Sequence, residues 1–185
     1  MAGLAVLRGF EQEAVAEHEP NRAWLEQIVR AQRSGKGCLP LHLGLDARAH
    51  AALIRAHFPE LGDAAGDDLR QELLELRRDE WSDLRDLLLS GRRGRDPGEA
   101  WMAAIVAAGC LGGDHLWRDL GLASRLELHE LLTHNFPHLA MRNTQDMRWK
   151  KFFYKQLCER EGGYVCRSPS CEQCPTYHDC FGEET

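Results

Sequence analysis

Four cysteines stand close together near the carboxyl end of this 185-residue chain, with the spacing Cys-x4-Cys-x2-Cys-x5-Cys. A Cys-x-x-Cys turn directs two thiolates toward one centre, and the flanking cysteines can fold onto that centre from either side. Two disulfides in so short a stretch would be strained, and seven cysteines without an export signal indicate a reducing cytoplasm. The sequence therefore predicts a metal-binding loop whose ligands are Cys166, Cys171, Cys174 and Cys180.

The spacing of these cysteines also bears on the kind of metal. Structural zinc is usually held by two close pairs of ligands that are well separated in sequence, whereas this stretch has one pair flanked by two single cysteines. Four cysteine ligands at unequal spacing are more typical of an iron–sulfur cluster, in which several iron atoms can each bind one thiolate. An iron–sulfur cluster is therefore predicted, with zinc as the alternative.

Composition and charge exclude some functions. The chain is 43% hydrophobic and 28% charged, as in ordinary globular proteins, and its net charge of −6 argues against general binding to nucleic acids or anionic membranes. It has no convincing signal peptide and no apolar run long enough to span a bilayer. We therefore expect a cytoplasmic protein without a nucleic-acid or membrane partner.

Helical periodicity runs through nearly the whole sequence, and no segment alternates as a strand would. The pattern predicts an all-α fold. Asp46 is placed to cap one helix, and Asp96, Pro97 and Glu99 form the entry of another. The predicted helices run from Asn21 to about Gly35, from Leu45 to Phe58, from Asp67 or Asp68 to about Ser90, from Asp96 onward, and from about Thr144 to Glu161.

The two halves of the chain resemble each other. At an offset of 77 positions, residues 20–48 and 97–125 share twelve identities in twenty-nine, including tryptophan, glycine and proline. This pattern predicts a degenerate internal duplication. We expect residues 1–163 to form one bundle-like domain of two helical repeats, at about 20–91 and 97–163, followed by a cysteine-rich loop over 164–185.

The sign of the charge reverses before the cysteines. Residues 142–167 carry seven basic and three acidic side chains, so this stretch has a net charge of +4 in a chain of net charge −6. Arg148, Lys151 and Lys155 share one face of the predicted helix, where they could bind an oxyanion or dock a partner. Further candidate metal ligands lie outside the cysteine spacing: Cys38 and His115, which occupy equivalent positions in the two repeats, Cys158 and His178.

The segment Arg142–Arg160, with its run Trp-Lys-Lys-Phe-Phe-Tyr, and the four-cysteine spacing after it closely resemble the NifQ family of nitrogen-fixation proteins. The segment His115–Leu122 is also similar to that family. The resemblance implies a carrier that holds a molybdenum–iron–sulfur cluster, built from molybdate and a 3Fe–4S or 4Fe–4S precursor, on the four cysteines. It also implies delivery of molybdenum to the NifE–NifN scaffold of the iron–molybdenum cofactor, with the nitrogenase iron protein as a further partner.

Two other functions fit the cysteine pattern. Some helical DNA-repair enzymes carry a 4Fe–4S loop near the C-terminus, but they need a glycine-rich hairpin, which follows neither Phe58-Pro59 nor Phe136-Pro137. A zinc-stabilised adaptor is the other alternative. No nucleophile–base pair, phosphate loop or paired-carboxylate site stands out. We therefore expect a metal-cluster carrier and not an enzyme.

Overall fold

The computed structural model describes residues 20–62, 69–160 and 177–181, and within these ranges the chain is helical with no strand. The predicted all-α fold is therefore confirmed. No helix in the described ranges is long and apolar enough to cross a membrane. The α-helices are α1 (Pro20–Arg33), α2 (Ala47–His57), α3 (Leu69–Leu76), α4 (Arg78–Ser90), α5 (Gly98–Cys110), α6 (Leu116–Leu120), α7 (Arg125–Asn135), α8 (Pro137–Ala140), α9 (Trp149–Arg160) and α10 (Tyr177–Phe181).

Helix α5 forms the centre of the core, and nearly all of its residues are buried. Its sequence is apolar on every face, as expected for a helix surrounded by others, and it packs most extensively on α4. The predicted entry is confirmed, because the buried carboxylate of Glu99 accepts hydrogen bonds from the backbone amides of Gly94, Arg95 and Asp96 at 2.7, 3.1 and 3.1 Å. Three amides that would otherwise lack partners are thereby satisfied before the helix begins.

One predicted helix is in fact two. The expected helix from Asp67 or Asp68 to Ser90 is interrupted at Arg77, whose backbone (φ −115°, ψ 29°) leaves the helical range between α3 and α4. The burial of the leucines also changes at Arg77. Leu84, Leu87 and Leu88 of α4 are fully buried, whereas Leu69, Leu73 and Leu76 of α3 are exposed. Leu74 is the one leucine of α3 that joins the core, while α4 packs extensively on α5.

The matched positions of the two halves share several backbone features. Gly44 and Gly121 both adopt a left-handed conformation, with φ of 87° and 77°. Asp46 caps α2 by accepting the Ala49 amide at 2.7 Å, and Ser124 caps α7 in the same way. Each of these two helices ends in a Phe-Pro step that starts a short helical turn. The two glycines correspond at the offset of 77, whereas the caps and the Phe-Pro steps correspond at an offset of 78. The duplication itself stays a prediction.

The last long helix begins later than expected. The sequence predicts a start at Thr144 with Asn143 or Thr144 as cap, but α9 starts at Trp149. The side chain of Asn143 is used differently, since it donates to the Met147 carbonyl at 2.8 Å and accepts from the Met147 amide at 2.9 Å. These two bonds close residues 143–147 into a loop. The apolar face of α9 packs into the core, with Trp149, Phe152 and Phe153 buried.

Candidate metal-carrier site

One of the four predicted cysteine ligands lies in the described chain. Cys180 is half-buried in α10, a single turn that packs against the core through Cys180 and Phe181. Cys166, Cys171 and Cys174 lie outside the described residues. Their role as ligands, and that of Cys180 with them, stays a prediction.

The last of the four cysteines is tied to the start of α9. Helix α9 ends at Arg160, and the described chain resumes at Tyr177 in α10, where the Cys180 carbonyl accepts the Arg148 amide at 2.7 Å. The rings of Tyr177 and Phe181 stack 4.5 Å apart and stiffen α10. The position of α9 therefore helps to fix the position of Cys180.

A buried ion pair fastens α9 to the body of the protein. The Lys150 ammonium lies 2.5 Å from the Asp119 carboxylate and also donates to the Gly112 carbonyl at 2.8 Å. The two side chains are only 17% and 7% exposed. Asp119 also accepts the Asp114 amide at 3.0 Å, so both charges are hydrogen-bonded as well as paired. Because water is largely excluded, the pair is weakly screened and its geometry is well defined.

A second contact joins α9 to α4. The Tyr154 hydroxyl donates to Glu80 at 2.5 Å, and Arg77 holds the same carboxylate through two nitrogens at 2.8 Å. Burial and the bond to Glu80 raise the pKa of Tyr154, while the Arg77 guanidinium lowers the pKa of Glu80. The hydroxyl is therefore the proton donor and Glu80 the charged acceptor at neutral pH.

Cys38 and His115, the accessory ligands predicted from the two repeats, both contact the backbone of Asp119. The Cys38 amide donates to the Asp119 carbonyl and the His115 carbonyl accepts the Asp119 amide, each at 3.0 Å. The Cys38 thiol lies 3.8 Å from the Gly109 carbonyl, and burial followed by the nearby Asp119 charge raises its pKa to about 12. A thiol protonated at neutral pH is a poor metal ligand. Within the described ranges, neither Cys38 nor His115 belongs to a group of three side chains that could hold a metal ion.

The other two accessory candidates, and Cys110, lie apart from one another. Cys158 is half-buried on α9, and His178 is exposed on α10 with its ring edge toward Tyr177. As ligands, Cys38, His115, Cys158 and His178 all remain predictions. Cys110 is buried in α5, and burial raises its pKa to about 12.

The basic face differs from its predicted form. Arg148 precedes α9 instead of lying on it, and Lys150 is used in the buried ion pair. Lys151 is exposed and Lys155 is half-exposed beside Glu159, with 3.9 Å between the charged atoms.

Sequence reasoning missed Arg142 and Gln156. The loop that precedes α9 brings Arg142 and its neighbours to the same small pocket as Lys155 and Gln156. The helical pattern placed residues 144–148 in one continuous helix with Lys155, and only the early end of α8 and the Asn143–Met147 hydrogen bonds reveal the loop.

The buried ion pair makes a first prediction. Replacing Lys150 by methionine leaves the Asp119 carboxylate buried without its cation, which costs about 3 kcal/mol of folding free energy. For a chain of this size the melting temperature should fall by roughly 6–12 °C. Lys151→Met, at the exposed neighbouring position, should change stability by less than about 0.5 kcal/mol. Equal melting temperatures for the two variants would contradict the role assigned to the pair.

The raised thiol pKa values make a second prediction. At pH 8, iodoacetamide should leave Cys38 and Cys110 unmodified in the folded protein, because a pKa of about 12 instead of 9.0 lowers the thiolate fraction about a thousandfold. Between about pH 9 and pH 12 the unfolded chain releases thiol protons that the folded chain retains. The free energy of unfolding should therefore fall as the pH rises through this window. Peptide mass spectrometry checks the labelling, and modification as fast as in guanidinium would refute it.

Comparison with known proteins identifies the family. The NifQ family model matches residues 24–182, a range that contains all four cysteines of the predicted loop. The chain is 64% identical to Protein NifQ of Azotobacter vinelandii over the full length of both chains. It is 40% identical to Protein NifQ of Klebsiella pneumoniae, over 88% of this chain and 99% of that one, and 37% identical to Protein NifQ of Rhodobacter capsulatus, over 86% and 87%. No solved structure matches. The chain belongs to the NifQ family of nitrogen-fixation proteins.

Proposed function

We propose that this protein carries molybdenum for the assembly of the nitrogenase iron–molybdenum cofactor. Its cargo is a molybdenum–iron–sulfur cluster held by Cys166, Cys171, Cys174 and Cys180, and it acts as a carrier and not as an enzyme. The observation that supports this most is that the family match spans the whole four-cysteine stretch. The receiving partners are the NifE–NifN scaffold and the nitrogenase iron protein, as the resemblance to the family implies.

The donor chemistry of the stretch fits this cargo. Thiolates are soft ligands that suit iron–sulfur clusters and reduced molybdenum, whereas molybdate is an oxyanion that positive charge and hydrogen-bond donors can hold. The basic residues beside the stretch supply that second kind of environment. One chain can therefore provide both environments.

The position of the stretch fits release as well as binding. Cys180 is bonded through its carbonyl to the start of α9, and α9 is held by the Lys150–Asp119 pair and the Tyr154–Glu80 contact, neither of which involves a cysteine. The helical body can thus keep its structure when the cargo leaves. A structural metal site behaves differently, because there folding depends on the metal.

The proposal predicts a specific metal content. Protein purified without oxygen from molybdate-supplied cells should contain iron, sulfide and molybdenum. Cys171→Ala and Cys174→Ala should abolish all three while helical circular dichroism persists. Cys110→Ala, a cysteine variant in the core helix α5 at a position that is not a predicted ligand, should retain them.

A different metal content would favour one of the alternative functions. Zinc alone would favour the adaptor, and iron without molybdenum after molybdate loading would favour the DNA-repair-type protein. Loss of helicity in the Cys171 and Cys174 variants would make the site structural. Each of these results contradicts the carrier proposal.

A further inference from the structure

The segment between α8 and α9 is held from two sides although it is not helical. The Asn143 side chain donates to the Met147 carbonyl at 2.8 Å and accepts from the Met147 amide at 2.9 Å. The Arg125 guanidinium of α7 donates to the Asp146 carbonyl at 2.9 Å and to the Asp146 carboxylate at 3.1 Å. Met147 is also buried. Residues 143–148, which we call the clamp loop, therefore follow one defined path outside any regular element.

The clamp loop contains a residue in an unfavourable backbone conformation. Asp146 has a φ of 51°, in the left-handed region that residues other than glycine rarely adopt, although aspartate tolerates it better than most. In the described part of the chain, Leu43 is the other such residue. Conformations of this kind persist where the surroundings determine them, and Arg125 holds both the carbonyl and the carboxylate of Asp146. The hydrogen bonds of the clamp loop thus maintain a chain path that the backbone alone would not favour.

The clamp loop leads directly to Cys180, the one predicted cysteine ligand in the described residues. The Arg148 amide, next in the chain after Met147, donates to the Cys180 carbonyl at 2.7 Å. Immediately after Arg148 the chain enters α9, where Trp149 is buried. The donor is therefore held between two fixed neighbours, so its direction is set before the cysteine bonds to it. This hydrogen bond ties the backbone of Cys180 to the clamp loop.

We propose that the clamp loop is the positioning element for Cys180, and that Asn143 and Arg125 are positioning residues of the metal-carrier site. They do not touch the cargo. They fix the Arg148 amide, which in turn holds the backbone of the last predicted ligand. This inference rests on the proposed function, because it takes Cys180 as a ligand. A ligand that is already in place loses less conformational freedom on binding, so the cargo is retained longer.

Hydrogen exchange in the full-length, metal-free chain tests the link between the clamp loop and Cys180. We expect the Arg148 amide to be protected. Asn143→Ala should raise its exchange rate at least tenfold, because this change removes both bonds to Met147. Thr144→Ala, at an exposed position of the same loop, should change the rate less than twofold. An unprotected Arg148 amide in the unaltered chain would overturn the proposal.

Release of iron to a chelator, from protein purified without oxygen, tests the effect on the cargo. Asn143→Ala and Arg125→Ala should each speed the release at least fivefold. Asn143→Asp keeps the acceptor for the Met147 amide and should restore most of the retention. Circular dichroism melts verify that every variant folds.

A core variant separates positioning from a general loss of stability. Leu53→Ala, at a fully buried position of α2, should lower the melting temperature at least as much as Asn143→Ala but leave the rate of iron release within twofold. If Leu53→Ala and Asn143→Ala speed the release equally, the positioning role is wrong.

The positioning role and the carrier function fail by different results. Protein that contains iron, sulfide and molybdenum but releases iron at the same rate after Asn143→Ala refutes the positioning role and leaves the carrier function standing. Protein that never acquires iron refutes the carrier function, whatever the exchange rate of the Arg148 amide.

Discussion

The ion pair between Lys150 and Asp119 fixes the position of α9, and the candidate site is built on that helix. Removing two charges from water is costly, so such a pair is maintained only where further hydrogen bonds complete it, as the Gly112 carbonyl and the Asp114 amide do here. The junction is also closely packed, since a side chain at Gly112 would meet both the Asp119 carboxylate and the Cys38 thiol. We infer that the pair sets the register of α9 against the core. A purely apolar contact would allow the helix to slide or rotate more easily.

The parts of the fold that could be predicted depend on local chemistry. Asp46 and Glu99 satisfy nearby amides, and a Phe-Pro step ends a helix, whatever surrounds them. The two errors in helix boundaries have a common cause. Around Arg77 and from Thr144 to Arg148 the chain contains no glycine or proline, so the sequence gives no signal of a break. In the second case Asn143 could have capped a helix, but it bonds Met147 within a loop instead.

The candidate site was predictable to the extent that it is contiguous in sequence. Cysteine spacing and family likeness can be read from neighbouring residues, whereas Lys150 and Asp119 are separated by 31 positions and meet only in the folded chain. In the sequence Lys150 belongs to a basic run and resembles any solvated lysine. Arg142 and Gln156 were missed for a related reason, because the loop between them determines that they share a pocket. The spacing of residues within one helix does not show which residues of different elements come into contact.

The protected state of Cys38 and Cys110 has a consequence for a chain that also contains four closely spaced thiols. Disulfide exchange requires a thiolate as the attacking group, and these two side chains remain thiols over the physiological range. Cys38 and Cys110 therefore cannot readily attack a disulfide formed elsewhere in the chain or become part of a mixed disulfide. Disulfide exchange should therefore be confined to the remaining cysteines. Because Cys38 and Cys110 keep their protons, they do not take part in the thiol chemistry of the remaining cysteines.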